Sequence, residues 1–146
     1  MEKIKQKILT QEFFIILLIV SPFLGSQWVV GPLVNAILFS SVFFLGTKKT
    51  VLLAFIPSLI ALSSGLMPVY FLVPIIGFSN LLLIFIFDRY KNHLFKAIVI
   101  ASIGKASFLF LIIFIFPVWA YIFGLIQLVT ALLGGLIFLG GKKYLN

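Results

Sequence analysis

The chain has 146 residues, of which 63% are hydrophobic and 10% charged, and a mean hydropathy of +1.31. This lies far outside the range of a soluble domain, and six tightly looped spans of about twenty residues would consume nearly the whole length, leaving no room for a soluble catalytic or nucleotide-binding domain. The net charge of +8 is scattered between apolar stretches rather than gathered in a patch, which excludes a nucleic-acid partner, and the lack of cysteine excludes disulfides, thiolate metal sites and cysteine nucleophiles.

Met1 to Thr10 carries Lys3, Lys5 and Lys7 and gives way to the apolar run Phe13 to Val20, like the first two regions of a signal peptide. Five further apolar segments favour a retained first span, over about 11–24, with Pro22 able to bend its outer end. After a short connection over 25–30, the second span is expected over about 31–45. It opens with Gly31-Pro32, because a proline in the first turn costs no intrahelical hydrogen bond. Asn35, Ser40 and Ser41 are its polar positions. The basic turn Gly46-Thr47-Lys48-Lys49 leads to a third span over about 51–66, interrupted by Pro57. A fourth runs over about 69–87, where Pro74 predicts a kink and Gly77 and Asn80 share a face.

The basic loop from Asp88 to Lys96 follows. His93 within it has no second histidine to pair with and reads as solvated rather than as a metal ligand. The fifth span, about 94–116, contains Ala97, Ala101, Ser102, Gly104 and Lys105 and stops at Pro117. The sixth, about 118–140, presents Gly124, Gln127, Thr130, Ala131 and Gly134 as a small and polar stripe ahead of a basic tail from Gly141. Ala97 with Ala101, Thr130 with Gly134 and Ala131 with Gly135 have the small-xxx-small spacing of close helix packing. The expected fold class is all-α: residues 1–146 form a single integral membrane domain of six transmembrane helices.

Every basic residue except Lys105 falls at one end of these alternating spans. The positive-inside rule then makes both termini cytoplasmic, N-in and C-in, in a multi-pass protein of the cell membrane. Trp28, Trp119, Tyr70 and Tyr121 fall at the opposite ends, as an interfacial aromatic belt or as the walls of a pocket.

Lys105 carries the most information. It lies roughly 16 Å beyond Leu94, about half of a ~30 Å hydrocarbon core and further than a lysine can snorkel. A lysine at that depth costs about 2.5 to 3.5 kcal/mol, so it should face protein, water or a ligand. Glu2, Glu12 and Asp88 all belong at the cytoplasmic edge, so no acid is within its reach. Three states remain open: a neutral hydrogen-bonded amine, a cation solvated by carbonyls and water, or a cation whose counter-charge arrives with a ligand. Asn35, Asn80 and Gln127 fall at similar depth on three other helices. Together with Lys105 they either line one cavity or bridge neighbouring helices separately. The chain has no G-x-x-x-x-G-K-[ST] phosphate loop, no Ser/His/Asp set and no carboxylate pair within the spans. A non-enzyme without a cofactor or metal is expected.

The six short hydrophobic helices and minimal outer loops resemble the substrate-binding S components of energy-coupling factor (ECF) transporters. The likeness runs from about Ser21 to Lys143. It is carried by Gly31-Pro32-Leu33-Val34-Asn35-Ala36, by Ile76-Gly77-Phe78-Ser79-Asn80 and by the stretch from Gln127 to Gly135. The resemblance implies capture of a vitamin or similar small molecule from outside, in the outer half of the bundle, and delivery through a shared transmembrane coupling subunit and two ATPases. Lys105, Asn35, Asn80, Gln127, Trp28, Trp119 and Tyr121 are the expected substrate-binding residues, with Lys105 suited to an anionic or electron-rich group. One departure is the first span: many members carry Ala-x-x-x-Ala where the coupling subunit docks, and Phe13 to Val20 has no small residue. The competing readings are a non-catalytic scaffold subunit of another membrane complex and a stand-alone carrier.

Overall fold

The computed structural model describes residues 10–67, 70–114 and 117–145, without the side chains of 112, 113, 118–123 and 145. The expectations for Lys3, Lys5 and Lys7 and for the side chains of Trp119 and Tyr121 fall outside the described residues. The elements, in order, are α1 (Gln11–Val20), α2 (Gln27–Leu45), α3 (Thr47–Thr50), α4 (Ile56–Ser63), α5 (Leu72–Tyr90), α6 (Leu94–Phe110) and α7 (Pro117–Leu145). 3-10 turns cover Ser21–Phe23, Val51–Phe55 and Leu111–Phe114, and no strand occurs among the described residues. By length and composition, Gln27–Leu45, Leu72–Tyr90 and Gly124–Tyr144 are able to cross a membrane.

α1 begins where the Thr10 hydroxyl accepts the Phe13 N–H at 3.4 Å, supplying one orphan donor of the first turn with a partner. α2 begins at Gln27, a turn earlier than the sequence predicts, because the Ser26 carbonyl accepts from both Val29 and Val30 at 2.9 Å. Pro32 is therefore inside the helix, where its missing N–H removes the bond that would reach the Trp28 carbonyl. Gly46, at φ 83°, ends α2 in a conformation that side chains resist, and α3 restarts directly after it. The stretch expected as a third span is thus helical from Thr47, but it changes pitch before α4. Pro57 cannot donate to Leu53 and its ring would crowd that carbonyl. The 3-10 turn solves this by pairing the Leu53 carbonyl with the Ile56 N–H instead.

Further along, Pro74 lies in the first turn of α5, which starts at Leu72 rather than 69, so it costs no intrahelical bond and imposes no kink there. α6 gives way to a 3-10 turn at Leu111, earlier than the predicted stop at Pro117. α7 continues through Gly140 and Gly141 to Leu145, where the sequence suggests a tail. Neither glycine has the positive φ of a helix stop. Lys142 sits over the Phe43 ring at 4.5 Å, at the end of the helix dipole that favours a cation.

Close packing follows the small residues. A Cβ on Gly134 would come within 2.7 Å of the Pro32 carbonyl oxygen and 2.9 Å of the Ala36 nitrogen, and one on Gly31 within 2.8 Å of Thr130. Glycine at these positions lets the α2 and α7 backbones approach each other. Gly135 meets Ile98 of α6 and Gly77 meets Phe55 in the same way. Towards the basic end, the buried rings of Phe39, Phe87 and Phe138 converge from α2, α5 and α7, with centroids 4.8 Å (Phe39–Phe87) and 5.7 Å (Phe87–Phe138) apart. Leu38, Val42, Leu83 and Ile84 complete this layer without solvent exposure.

Candidate functional site

Asn35, Asn80 and Lys105 lie roughly 15 to 17 Å from the basic ends of α2, α5 and α6, counted at ~1.5 Å per residue. Asn35 and Asn80 are each 1% exposed and Lys105 2%. The Lys105 Nζ donates to Asn35 Oδ1 and to Asn80 Oδ1, both at 2.7 Å. The orientation of each amide is fixed from behind: Asn35 Nδ2 donates to the Gly31 carbonyl at 2.9 Å and Asn80 Nδ2 to the Ala54 carbonyl at 2.8 Å. Both amides must therefore turn oxygen towards the amine. Ala54 lies in the 3-10 turn that Pro57 imposes, so a proline on one segment helps position an asparagine on another.

A cavity of about 360 Å³ lies above this trio, away from the basic end. Val34, Asn35, Asn80 and Lys105 reach it from below, Pro57, Ser58, Ala61, Leu72 and Ile76 form walls, and Gly25, Gln27, Leu66 and Met67 come from the segments around its mouth. Gln127 of α7 also lines it and is 5% exposed. Among the described residues its side chain has no hydrogen-bond partner. No aspartate or glutamate is among the lining residues, and Asp88 is paired with Lys91 at 2.8 Å at the basic end.

The four polar residues expected to share a cavity do so. Trp28 does not: it is 56% exposed on the first turn of α2 and outside the lining, on the other side of that turn from Gln27, Val30 and Gly31, which do line it. Trp119 and Tyr121 lie outside the described side chains. The contact sequence reasoning missed is the clamp itself, since the partners of Lys105 are 70 and 25 residues away and no local pattern links them. Ser58 was missed as well: it lines the cavity, is 2% exposed, and its hydroxyl donates to the Phe55 carbonyl at 3.0 Å. Its only sequence signal is that it follows Pro57.

Chemically, the arrangement is an amine donor held by two neutral amide acceptors beneath a largely aliphatic chamber that the Gln127 amide also lines. It can bind and orient a small molecule. No group of three or more His, Cys, Asp or Glu able to hold a metal occurs among the described residues. Compared with known proteins, the chain matches no family model, no curated sequence and no solved structure.

Proposed function

We propose that this chain is a membrane-embedded substrate-binding subunit of the S-component kind. It would span the cell membrane six times with both termini cytoplasmic, and its cavity would open to the outside. It captures a small molecule there and passes it to a transmembrane coupling subunit driven by two ATPases, taking no catalytic part itself. The observation that carries this reading is the Lys105 clamp beneath a cavity of about 360 Å³, at the small end of the ~300–1,000 Å³ usual for small-molecule sites. A scaffold subunit would have no use for a buried lysine lining an open chamber together with a buried amide. The lipid bilayer accounts for the large exposed apolar side chains along the outside, such as Ile16, Leu52, Phe85 and Leu136.

A thermal-shift screen of the purified protein against vitamins and their precursors tests this. A true ligand at a hundred times its Kd adds about 2.7 kcal/mol and raises Tm visibly. A screen without a single stabilising compound favours the scaffold reading.

A further inference from the structure

A second concavity lies on the outside of the bundle, towards its basic end. α1 and α7 both pack on α2, and between them runs a groove of about 260 Å³. Leu33, Ala36, Ile37 and Ser40 of α2 form its floor, Phe13 and Leu17 one wall, and Ile137 and Gly141 the other. Ser40 carries the only polar side chain among the lining residues, and its hydroxyl donates to the Ala36 carbonyl at 2.8 Å. The surface on offer is hydrocarbon.

Depth and width limit what can lie there. Counted at ~1.5 Å per residue from the end of α2 at Leu45, Ser40 lies roughly 7 Å deep and Leu33 roughly 18 Å. The groove therefore opens near one face of a ~30 Å hydrocarbon core and stops near its middle, as the chains of one leaflet do. A helix with its side chains is 10–12 Å across and would displace about 800 Å³ over that length, far more than the groove holds. A single acyl chain is thin enough. Charge sits where its headgroup would be. Lys142 follows Gly141, and its Nζ lies 4.5 Å from the centroid of Phe43, a ring one turn beyond Ser40 that packs on the lining residue Phe138 at 5.6 Å. Lys143 is exposed beside it. Of the two described acids, Asp88 is paired with Lys91 at 2.8 Å and Glu12 has Lys49 as its neighbouring cation. Neither Lys142 nor Lys143 has a counter-charge among the described residues.

We propose that this groove is a lipid site: one acyl chain of an anionic phospholipid lies along α2 between α1 and α7, in the leaflet at the basic end, with its phosphate at Lys142 and Lys143. The chain fills a gap that the protein leaves open, and the phosphate supplies the counter-charge these two lysines lack. The site needs only a bilayer around the bundle and is independent of what the Lys105 cavity binds.

The test is native mass spectrometry of the full chain released from detergent micelles doped with dioleoyl phosphatidylglycerol or with dioleoyl phosphatidylcholine. The unmodified protein should retain one phosphatidylglycerol, and hold it more tightly than phosphatidylcholine by about fivefold for each lysine. Lys142→Gln and Lys143→Gln together should erase that preference without lowering phosphatidylcholine binding. Gly141→Leu should lose the bound lipid, because the added side chain enters the groove. Position 141 is helical with nothing within 4 Å of its Cβ position, so the fold has room for the change. Gly140→Leu adds the same volume outside the lining and should keep the lipid. Equal retention of the two lipids by the unmodified protein, or no retained lipid at all, overturns the proposal without any variant having to fold. So does a Gly141→Leu protein that holds phosphatidylglycerol as well as Gly140→Leu does, which would put the lipid elsewhere on the bundle.

Discussion

At the level of single residues, the unusual feature is that Lys105 has acceptors but no counter-charge among the described residues. Asn80→Asp is almost isosteric and keeps an oxygen on the amine while placing an anion beside it. An ammonium at Lys105 would then find its counter-charge within the protein. Affinity for an anionic ligand should fall tenfold or more, and the binding isotherm of the variant measures it. Asn80→Ala acts differently, because it takes one of the two acceptors from a buried donor. It should cost about 1 to 3 kcal/mol of stability, read as a lower Tm without ligand. The convergence of Asn35, Asn80, Lys105 and Gln127 was legible in the sequence because depth along a helix is a matter of counting. The clamp between them was not, since rotation about each helix axis decides whether two residues at one depth meet. Trp28 illustrates the same limit, lying on the other side of the first turn of α2 from Gln27, Val30 and Gly31, which line the cavity.

Among the elements, α2 and α7 form the tightest pair, and their contact depends on glycine. Gly134→Ala would place a methyl against backbone atoms of Pro32 and Ala36, which cannot swing aside as a side chain would. The helices must part, at a cost of about 1 to 3 kcal/mol. Because Asn35 is in the same contact, ligand affinity should suffer too. Gly140→Ala is the control, since nothing lies within 4 Å of its Cβ position and the residue is helical. It should leave Tm unchanged or raise it, as alanine is favoured over glycine by about 1 kcal/mol inside a helix. Thermal denaturation of both variants checks the contrast. The all-helical character could be read from apolar runs separated by basic or glycine-rich turns. The ends of the helices could not: α7 runs past two glycines that read as a stop, and Pro57 produces a 3-10 turn whose pitch no hydropathy pattern encodes.

For the whole molecule, the account depends on which way the bundle faces. The described basic residues other than Lys105, from Lys48 to Lys143, gather at the end opposite the cavity, and the aromatic layer of Phe39, Phe87 and Phe138 separates them from Lys105. The chain has no native cysteine, so single cysteines can be introduced without background. Lys48→Cys and Lys91→Cys should resist an impermeant thiol reagent in intact cells, while Gln27→Cys at the cavity mouth should react. Labelling of Lys48→Cys from outside would invert the topology. Transport should depend on partners: proteoliposomes containing this chain alone should bind ligand but show no ATP-dependent accumulation, since the chain carries no phosphate loop.

The central claim is that Lys105 is in the bundle to hold a ligand and not to hold the bundle together. The most direct measurement is the affinity of Lys105→Met, beside the unmodified protein, for whichever compound the screen identifies, with the ligand-free Tm recorded in parallel. Methionine keeps most of the length and apolar volume and deletes the charge, and the two amide oxygens it leaves behind face a chamber that water can enter. Affinity is predicted to fall about tenfold to a hundredfold while the ligand-free Tm holds or rises. Unchanged affinity together with a lowered Tm would make the lysine a structural strut and contradict the account.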